Sequence, residues 1–386
     1  MPCPFQKNDL AGTVSPLLTF LSVRGCEGKW GPPMKIPSRL ATALGALLSA
    51  SALTIALAVP AHGATGWRVV FTRHYGVATN SSGYTTVIAP GARSAWVFGG
   101  TDLSGATPGV PVAVHWNGSS WSRSTLPSGM TGVIGAASAP AGSDIWAVTQ
   151  AGGNILHWNG TSWTLAHQLT GDGELTGVTA FSTSDVWVFG GPGFGPGLGT
   201  WHYDGSSWQQ LTDPVAGGIS LASAVSPANI WGIGATANGS QAGIVHYDGS
   251  SWQQVTASAL DGLLFKGILA RSAKSIWVTA TKQSNGFAGF LLRFNGSSWS
   301  KTRLPWAVDP GNLSMDGKGG LWLGAGDSSF RSYMVHRTHT GTMSRTLIGG
   351  SQTDLNDPVL IPGTTALWGA GRVGSKAAIW ARGTIP

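Results

Sequence analysis

Seven tryptophans stand at near-constant spacing along this chain. They are Trp96, Trp146, Trp187, Trp231, Trp277, Trp322 and Trp368, separated by 50, 41, 44, 46, 45 and 46 residues. Each sits in a short apolar phrase such as SAWVFGG, DIWAVTQ, DVWVFGG or NIWGIGA. A second phrase follows the first five. It reads HYDGSSWQQ at 202–210 and again at 246–254, with looser copies HWNGSSWS, HWNGTSWT and RFNGSSWS starting at His115, His157 and Arg293. A fixed period of this kind marks an architecture of stacked units, each too small to bury its apolar face alone.

One unit can be read at 175–212, LTGVTAFSTSDVWVFGGPGFGPGLGTWHYDGSSWQQLT. LTGVTAF alternates as a strand does and ends in a Ser-Thr-Ser turn. In DVWVFGG, Val186 and Val188 share one face and Trp187 and Phe189 the other, so both faces of this strand are covered. GTWHYDG is a third strand, and the Asp-Gly pair opens a short connection to a fourth, SSWQQLT. Four antiparallel strands per period, with no helical stripe, make one propeller blade. The chain is therefore expected to be all-β, a seven-bladed propeller over 64–386.

The ends of the repeat series say how the ring closes. After the last Trp phrase comes a third strand, KAAIWARG, and no fourth. At the other end TGWRVVF (65–71) reads as a fourth strand without its first three, and Trp67 takes the place of Trp208 and Trp252. Pairing 65–71 with the strand of Trp380 would complete the last blade and leave no exposed edge. Blade six is degenerate, with Met343 near the expected Trp and one extra residue in its turn.

Residues 1–63 are a different kind of text. From Met34, a basic start (Lys35, Arg39) leads into an Ala/Leu-rich stretch ending in Val59-Pro60-Ala61-His62-Gly63. This is the pattern of a secretory signal peptide at 34–63; an uncleaved membrane anchor is the alternative. Residues 1–33 have no periodicity and read as a mis-assigned N-terminal extension, with Met34 the expected start. Both cysteines, Cys3 and Cys26, lie there. The expected mature chain is an extracellular monomer without disulfides or thiol chemistry.

Only 10% of the residues are charged and 58 are Gly, which suits turn-rich β structure. The charges form no stripe or cluster, so nucleic acid is not an expected partner. His115, His157, His202, His246 and His336 recur at one strand position in five blades, too far apart to share one ion, so no metal and no cofactor is expected. The tryptophans of the second, third and fourth strands read as blade-to-blade core, and Trp306 alone has no repeat role. The Asn-Gly-Ser/Thr triplets at Asn117, Asn159 and Asn295 are the repeat turn.

The repeats resemble a family of secreted bacterial propeller repeats, of actinobacterial type, with the pattern DVWAVG…HYDGSSW. The residues that carry the resemblance are DVWVFG, DIWAV and the HYDGSSW set, spread over 65–386. The turn also looks like an Asp-box of sialidase-type propellers shortened by one residue. The resemblance implies a propeller fold and leaves function open, since such scaffolds host unrelated roles.

No catalytic residues are assigned: no nucleophile elbow, phosphate loop or metal signature appears. The expected function is a secreted, non-catalytic module that binds a protein partner or a glycan. The alternative is a hydrolase or lyase acting on polysaccharide, which would need two carboxylates brought together at the channel mouth. The short connections STSD, SPAN, NGSS and DGSS repeat and read as structure. The connections on the opposite rim vary, and variable loops on a rigid ring are where binding residues sit. Trp306, Asp309, Lys282, Phe287, Asp327, Phe330 and Arg331, from blades five and six, are the candidate ligand site on that rim.

Overall fold

The computed structural model describes residues 66–386, apart from 77–80, 102–108, 172, 192–196, 237–240, 283–287 and 307. The proposed extension at 1–33 and signal segment at 34–63 lie outside the described residues, as does Phe287.

The chain folds as a seven-bladed β-propeller of four-stranded antiparallel sheets. Blades 1 to 6 run 82–124, 134–168, 177–211, 219–255, 264–303 and 309–349. Blade 7 takes three strands from 353–382 and its outermost strand, Trp67–Arg73, from the other end of the chain. That strand pairs antiparallel with Lys376–Arg382, with Trp67 opposite Arg382 and Val69 opposite Trp380. It starts and ends two residues later than the 65–71 expected from sequence. The one helical element among the described residues is a single 3-10 turn, Ser258–Leu260.

The first strands of successive blades lie against one another all the way round, so they form the inner wall of the ring. Side-chain and backbone hydrogen bonds stitch this wall across blade boundaries. The Ser138 hydroxyl accepts from the backbone N–H of Ala180 at 3.0 Å, Ser223 from Ala270 at 2.9 Å and Ser314 from Leu360 at 3.1 Å. At the closing boundary the acceptor is Asp357 of blade 7, which takes the N–H of Val87 at 3.0 Å and the hydroxyl of Thr86 at 2.8 Å, both from blade 1.

The core lies between blades. Val186 and Val188 enter the layer between blades 2 and 3, while Trp187 and Phe189 enter the layer between blades 3 and 4. This is why the strand is apolar on both faces. It also explains two tryptophans per repeat: the fourth-strand Trp of each blade packs on the second-strand Trp of the blade before. Trp163 meets Trp96 at 5.4 Å between ring centroids, Trp208 meets Trp146 at 6.2 Å, and Trp299 meets Trp231 at 6.0 Å. The contact continues across the ring closure, Trp67 on Trp322 at 5.8 Å and Trp121 on Trp368 at 5.0 Å. In blade 6 the position holds Met343, which packs in the same layer as Trp277.

The repeated histidine lies flat on the second-strand Trp of its own blade. Ring centroids are 4.3 Å apart for Trp96–His115, Trp146–His157 and Trp322–His336, and 4.2 Å for Trp231–His246. Each imidazole is anchored at Nε2 by a polar group near the start of the second strand: Ser94, Asp144, Asp185, Asn229 and Asp316 in blades 1, 2, 3, 4 and 6. Burial holds His115 and His246 below the usual imidazole value, so they stack as neutral rings. In blade 5 the same position is Arg293, whose guanidinium lies 5.3 Å from the Trp277 ring.

The repeated Asp/Asn-Gly-Ser turns are Asx turns. The Oδ1 of Asp204 accepts the N–H and the hydroxyl of Ser206 and the N–H of Ser207, at 2.9, 2.7 and 2.9 Å. Asn117 does the same with Ser119 and Ser120, so Asp and Asn are interchangeable in the turn geometry.

Candidate functional site

Antiparallel order puts the first-to-second and third-to-fourth turns of every blade on one rim, and the second-to-third and fourth-to-first connections on the other. The second rim carries the sequence candidates, and on blade 6 it holds a ladder of cations and aromatic rings. Trp306 stands in the connection from blade 5 to blade 6, half-buried against the apolar layer between those blades. The Arg345 guanidinium, from the outermost strand Met343–Gly349, lies 5.2 Å from the Trp306 ring and 4.7 Å from that of Tyr333. Arg331 approaches Tyr333 from 5.8 Å.

The ladder ends in a tight turn, Asp327-Ser-Ser-Phe330-Arg331. Asp327 Oδ1 accepts the backbone N–H of Ser329 and of Arg331, each at 3.0 Å. Its Oδ2 accepts Nε and Nη2 of Arg331 at 2.8 and 2.7 Å and the Tyr333 hydroxyl at 3.1 Å. Burial opposes the charge on Asp327, but the bonds from Arg331, Ser329 and Tyr333 outweigh it and lower its pKa to about 2. Within this clamp Phe330 has φ +56°, the one positive value at a non-glycine among the described residues. Its side chain is 77% exposed. A bulky residue in the left-handed region costs on the order of 1–3 kcal/mol and persists only where the surroundings impose it.

The other candidates are placed apart from this ladder. Asp309 opens the first strand of blade 6 and pairs with Lys266 of blade 5 across the inner wall, Nζ to Oδ2 3.2 Å. Burial raises its pKa, against the pull of Lys266. Lys282 ends the second strand of blade 5 opposite Ala288 and is exposed.

Tyr333 and Arg345 belong to the ladder and were missed in the sequence. A signal for Arg345 exists in the repeat: it stands two residues after Met343, as Arg123 follows Trp121 and Lys301 follows Trp299. All three cations lie over an aromatic ring, Arg123 on Tyr75 at 5.4 Å and Lys301 on Phe290 at 5.7 Å. Arginines that show no cluster along the chain converge in pairs in space. Arg331 and Arg345 share Tyr333, Arg293 and Arg337 share Trp277, and Arg73 and Arg123 share Tyr75.

The carboxylates of the inner wall and mouth are engaged by neighbours. Asp309 faces Lys266 through Oδ2 while its Oδ1 is buried without a partner among the described residues, Asp354 takes Arg372 Nε at 2.8 Å, and Asp213 takes the Thr200 hydroxyl. Asp357 accepts from Thr86, from the Val87 N–H and from the Asn312 amide at 3.3 Å. Burial raises the pKa of all four. Among the described residues no group of three or more His, Cys, Asp or Glu is gathered that could hold a metal ion.

No family model matches this sequence, and no curated protein matches it. The fold has clear likenesses among solved structures. "YCF48 bound to D1 peptide" superimposes with a TM-score of 0.57 at 12% identity, covering 84% of this chain and 99% of that one. U3-55K gives a TM-score of 0.57 at 9% identity over 83% of this chain and 99% of that one. The β-propeller domain of Myceliophteria thermophila Cps50 (Swd1) gives 0.54 at 10% identity over 82% and 99%. At such identities the likeness is one of fold, and the fold it establishes for this chain is the β-propeller.

Proposed function

We propose that this chain is a secreted, non-catalytic binding module that docks a partner polypeptide on the rim of blades 5 and 6, with Phe330 as the side chain that enters the partner. The observation that carries the reading is the turn at 327–331. It holds an exposed phenylalanine in a strained conformation through two backbone hydrogen bonds and a two-pronged Arg331–Asp327 pair. Strain of this kind concentrates at ligand clamps, and a rigidly presented aromatic is the usual anchor of a protein interface. Arg345, on the same blade, adds a cation oriented by the rings of Trp306 and Tyr333. One of the fold neighbours was solved with a peptide bound, which agrees with this use of the scaffold. Secretion rests on the basic, then Ala/Leu-rich, segment that begins at Met34.

The test is a binding screen of the purified chain against extracellular proteins, peptides and glycans, run in parallel with Phe330→Ala. The reading expects polypeptide ligands whose signal is lost in the variant at unchanged melting temperature. Ligands that are all retained by the variant, or that are all glycans, would overturn it. For secretion, mass spectrometry of exported material should find an N-terminus between residues 60 and 66; peptides from 1–33 would argue against the Met34 start.

A further inference from the structure

A second pair of arginines lies where the ring closes. Tyr75 stands in the connection between the closing strand Trp67–Arg73 and the first strand of blade 1, Ser82–Gly91. It is buried, and its hydroxyl lies 2.7 Å from that of Tyr84. Burial raises both phenols, most of all Tyr84, so the pair stays neutral and brings no negative charge to its surroundings. Two exposed guanidiniums, Arg73 at 5.8 Å and Arg123 at 5.4 Å, approach the Tyr75 ring. Among the described residues neither has a carboxylate within ion-pair distance, whereas Arg331 and Arg372 do. A guanidinium beside a ring gives up its planar face and keeps its N–H edge for an anion.

Arg123 also lines a cleft of about 400 Å³ with Val110, Pro111, Leu126, Pro127 and Met130. Ser124, Thr125 and Ser128 line it as well, so the walls mix polar and aliphatic groups; Val110, Leu126 and Met130 supply the aliphatic part, and Val110 is 52% exposed. The cleft starts at the end of Trp121–Ser124, the outermost strand of blade 1 among the described residues. Two requirements of an extended peptide thus meet in one place: a fork for a carboxylate and a cluster of aliphatic groups for the next side chain. A sugar would want an exposed aromatic platform, and the ring here, Tyr75, is buried.

We infer that this cleft is a peptide-binding site, separate from the rim of blades 5 and 6, which takes an extended segment carrying a carboxylate followed by an aliphatic side chain. Arg123 and Arg73 hold the carboxylate, and Val110, Leu126 and Met130 receive the aliphatic group.

The test is fluorescence anisotropy of the full-length protein with labelled eight-residue peptides, in which Asp-Leu or Glu-Val is set in a Gly/Ser background. Counterparts carry Asn for Asp or Gly for Leu. Binding of the acidic apolar peptides is expected, weaker by about ten- to a hundredfold for the Asn counterparts, the range for losing a charge-assisted hydrogen bond. Arg123→Gln should weaken it by a similar factor. Val110→Glu, at an exposed position away from the Tyr75 pair, should abolish it without changing the melting temperature, and this variant decides the matter if Arg123→Gln proves unstable. The inference is overturned if no acidic apolar peptide binds, if the Asn counterparts bind equally, or if Val110→Glu leaves affinity intact. It is also overturned if a sulfated oligosaccharide or inorganic phosphate binds at Arg123 while the peptides do not.

Discussion

Trp146 and His157 stack in parallel, ring centroids 4.3 Å apart and planes 23° from one another, and both donate to the same oxygen, Asp144 Oδ1. The indole N–H reaches it at 3.0 Å and the imidazole Nε2 at 2.8 Å. One carboxylate thus satisfies two ring donors at the start of a buried strand. Blade 4 repeats the arrangement with Asn229, Trp231 and His246. In blade 1 Ser94 reaches His115 alone, and Trp96 Nε1 has no partner among the described residues.

The asymmetry predicts a ranking. Asp144→Ala leaves the buried Trp146 indole unpaired, at about 1–3 kcal/mol, and the half-buried His157 imidazole as well, at a smaller cost. Ser94→Ala removes one longer bond of 3.2 Å and should cost about 1 kcal/mol or less. Chemical denaturation of the two variants should therefore show the larger loss at Asp144. Equal losses would mean that the ring stack, and not its anchor, holds the strand.

Ring closure predicts a second effect. Deleting Trp67–Arg73 strips Lys376–Arg382 of its outer neighbour and removes Trp67, Val69, Val70 and Phe71, all half-buried. At roughly 1 kcal/mol each, about half the value for full burial, the loss is on the order of 4 kcal/mol. The deletion should lower the melting temperature sharply and expose an edge prone to pairing with other chains. An unchanged melt would show that blade 7 is stable with three strands.

These structural features were legible in the sequence because the repeat writes the same side-chain period again and again. The Trp phrases, the Asp-Gly and Asn-Gly turns and the orphan strands at either end each constrain the backbone locally. The candidate site was legible only in part. Asp327, Phe330 and Arg331 are neighbours in one turn and could be read together. Tyr333 and Arg345 join them through a strand pairing in the one blade whose fourth strand departs from the pattern, so the spacing that would have flagged Arg345 was obscured by Met343. Asp309 looked like a partner of Trp306 from its position in the chain, but the strand that begins at Asp309 turns it to the inner wall and Lys266. Proximity along a connection did not survive the change of direction at a strand start.

Acid should act on the turns and on the inner wall in opposite senses. Serine donors lower Asp204 and Asp248 from 3.8 to about 2. Their contribution to stability is whole above about pH 4, the unfolded value, and is lost as pH falls toward 2. Asp204→Asn with Asp248→Asn keeps the turn, as Asn117 and Asn159 do, and removes the titration. The double variant should lose less stability than the parent between pH 5 and about pH 2. Asp357 is the reverse case: burial raises its pKa, so the folded state pays for its charge as pH climbs past the unfolded value. Asp357→Asn still accepts from Thr86 and Val87, and with the Asn312 amide turned so that its oxygen meets the new NH2 it should be neutral or stabilising at pH 7, while Asp357→Leu leaves those donors unpaired and should destabilise by about 1–3 kcal/mol. Melting curves of the three variants across pH separate the two behaviours, and a fall in stability for Asp357→Asn at pH 7 would contradict the inner-wall account.

Phe330 offers the sharpest separation of binding from folding. Its φ of +56° suits glycine, and its side chain is 77% exposed. Phe330→Gly relieves strain of roughly 1–2 kcal/mol and gives back part of it through a more flexible unfolded chain, so stability should stay level or rise by up to about 1 kcal/mol. Phe330→Ala keeps a Cβ in the same conformation and should leave stability close to the parent. If the turn presents an anchor to a partner, both variants lose that partner while folding at least as well. Arg331→Ala releases the clamp on Asp327 and should weaken the same interaction with Phe330 still present, because the ring is then no longer held outward. Binding measured by calorimetry beside melting temperature for the three variants distinguishes the cases. Retained affinity in both Phe330 variants would leave the strained turn without a role in recognition.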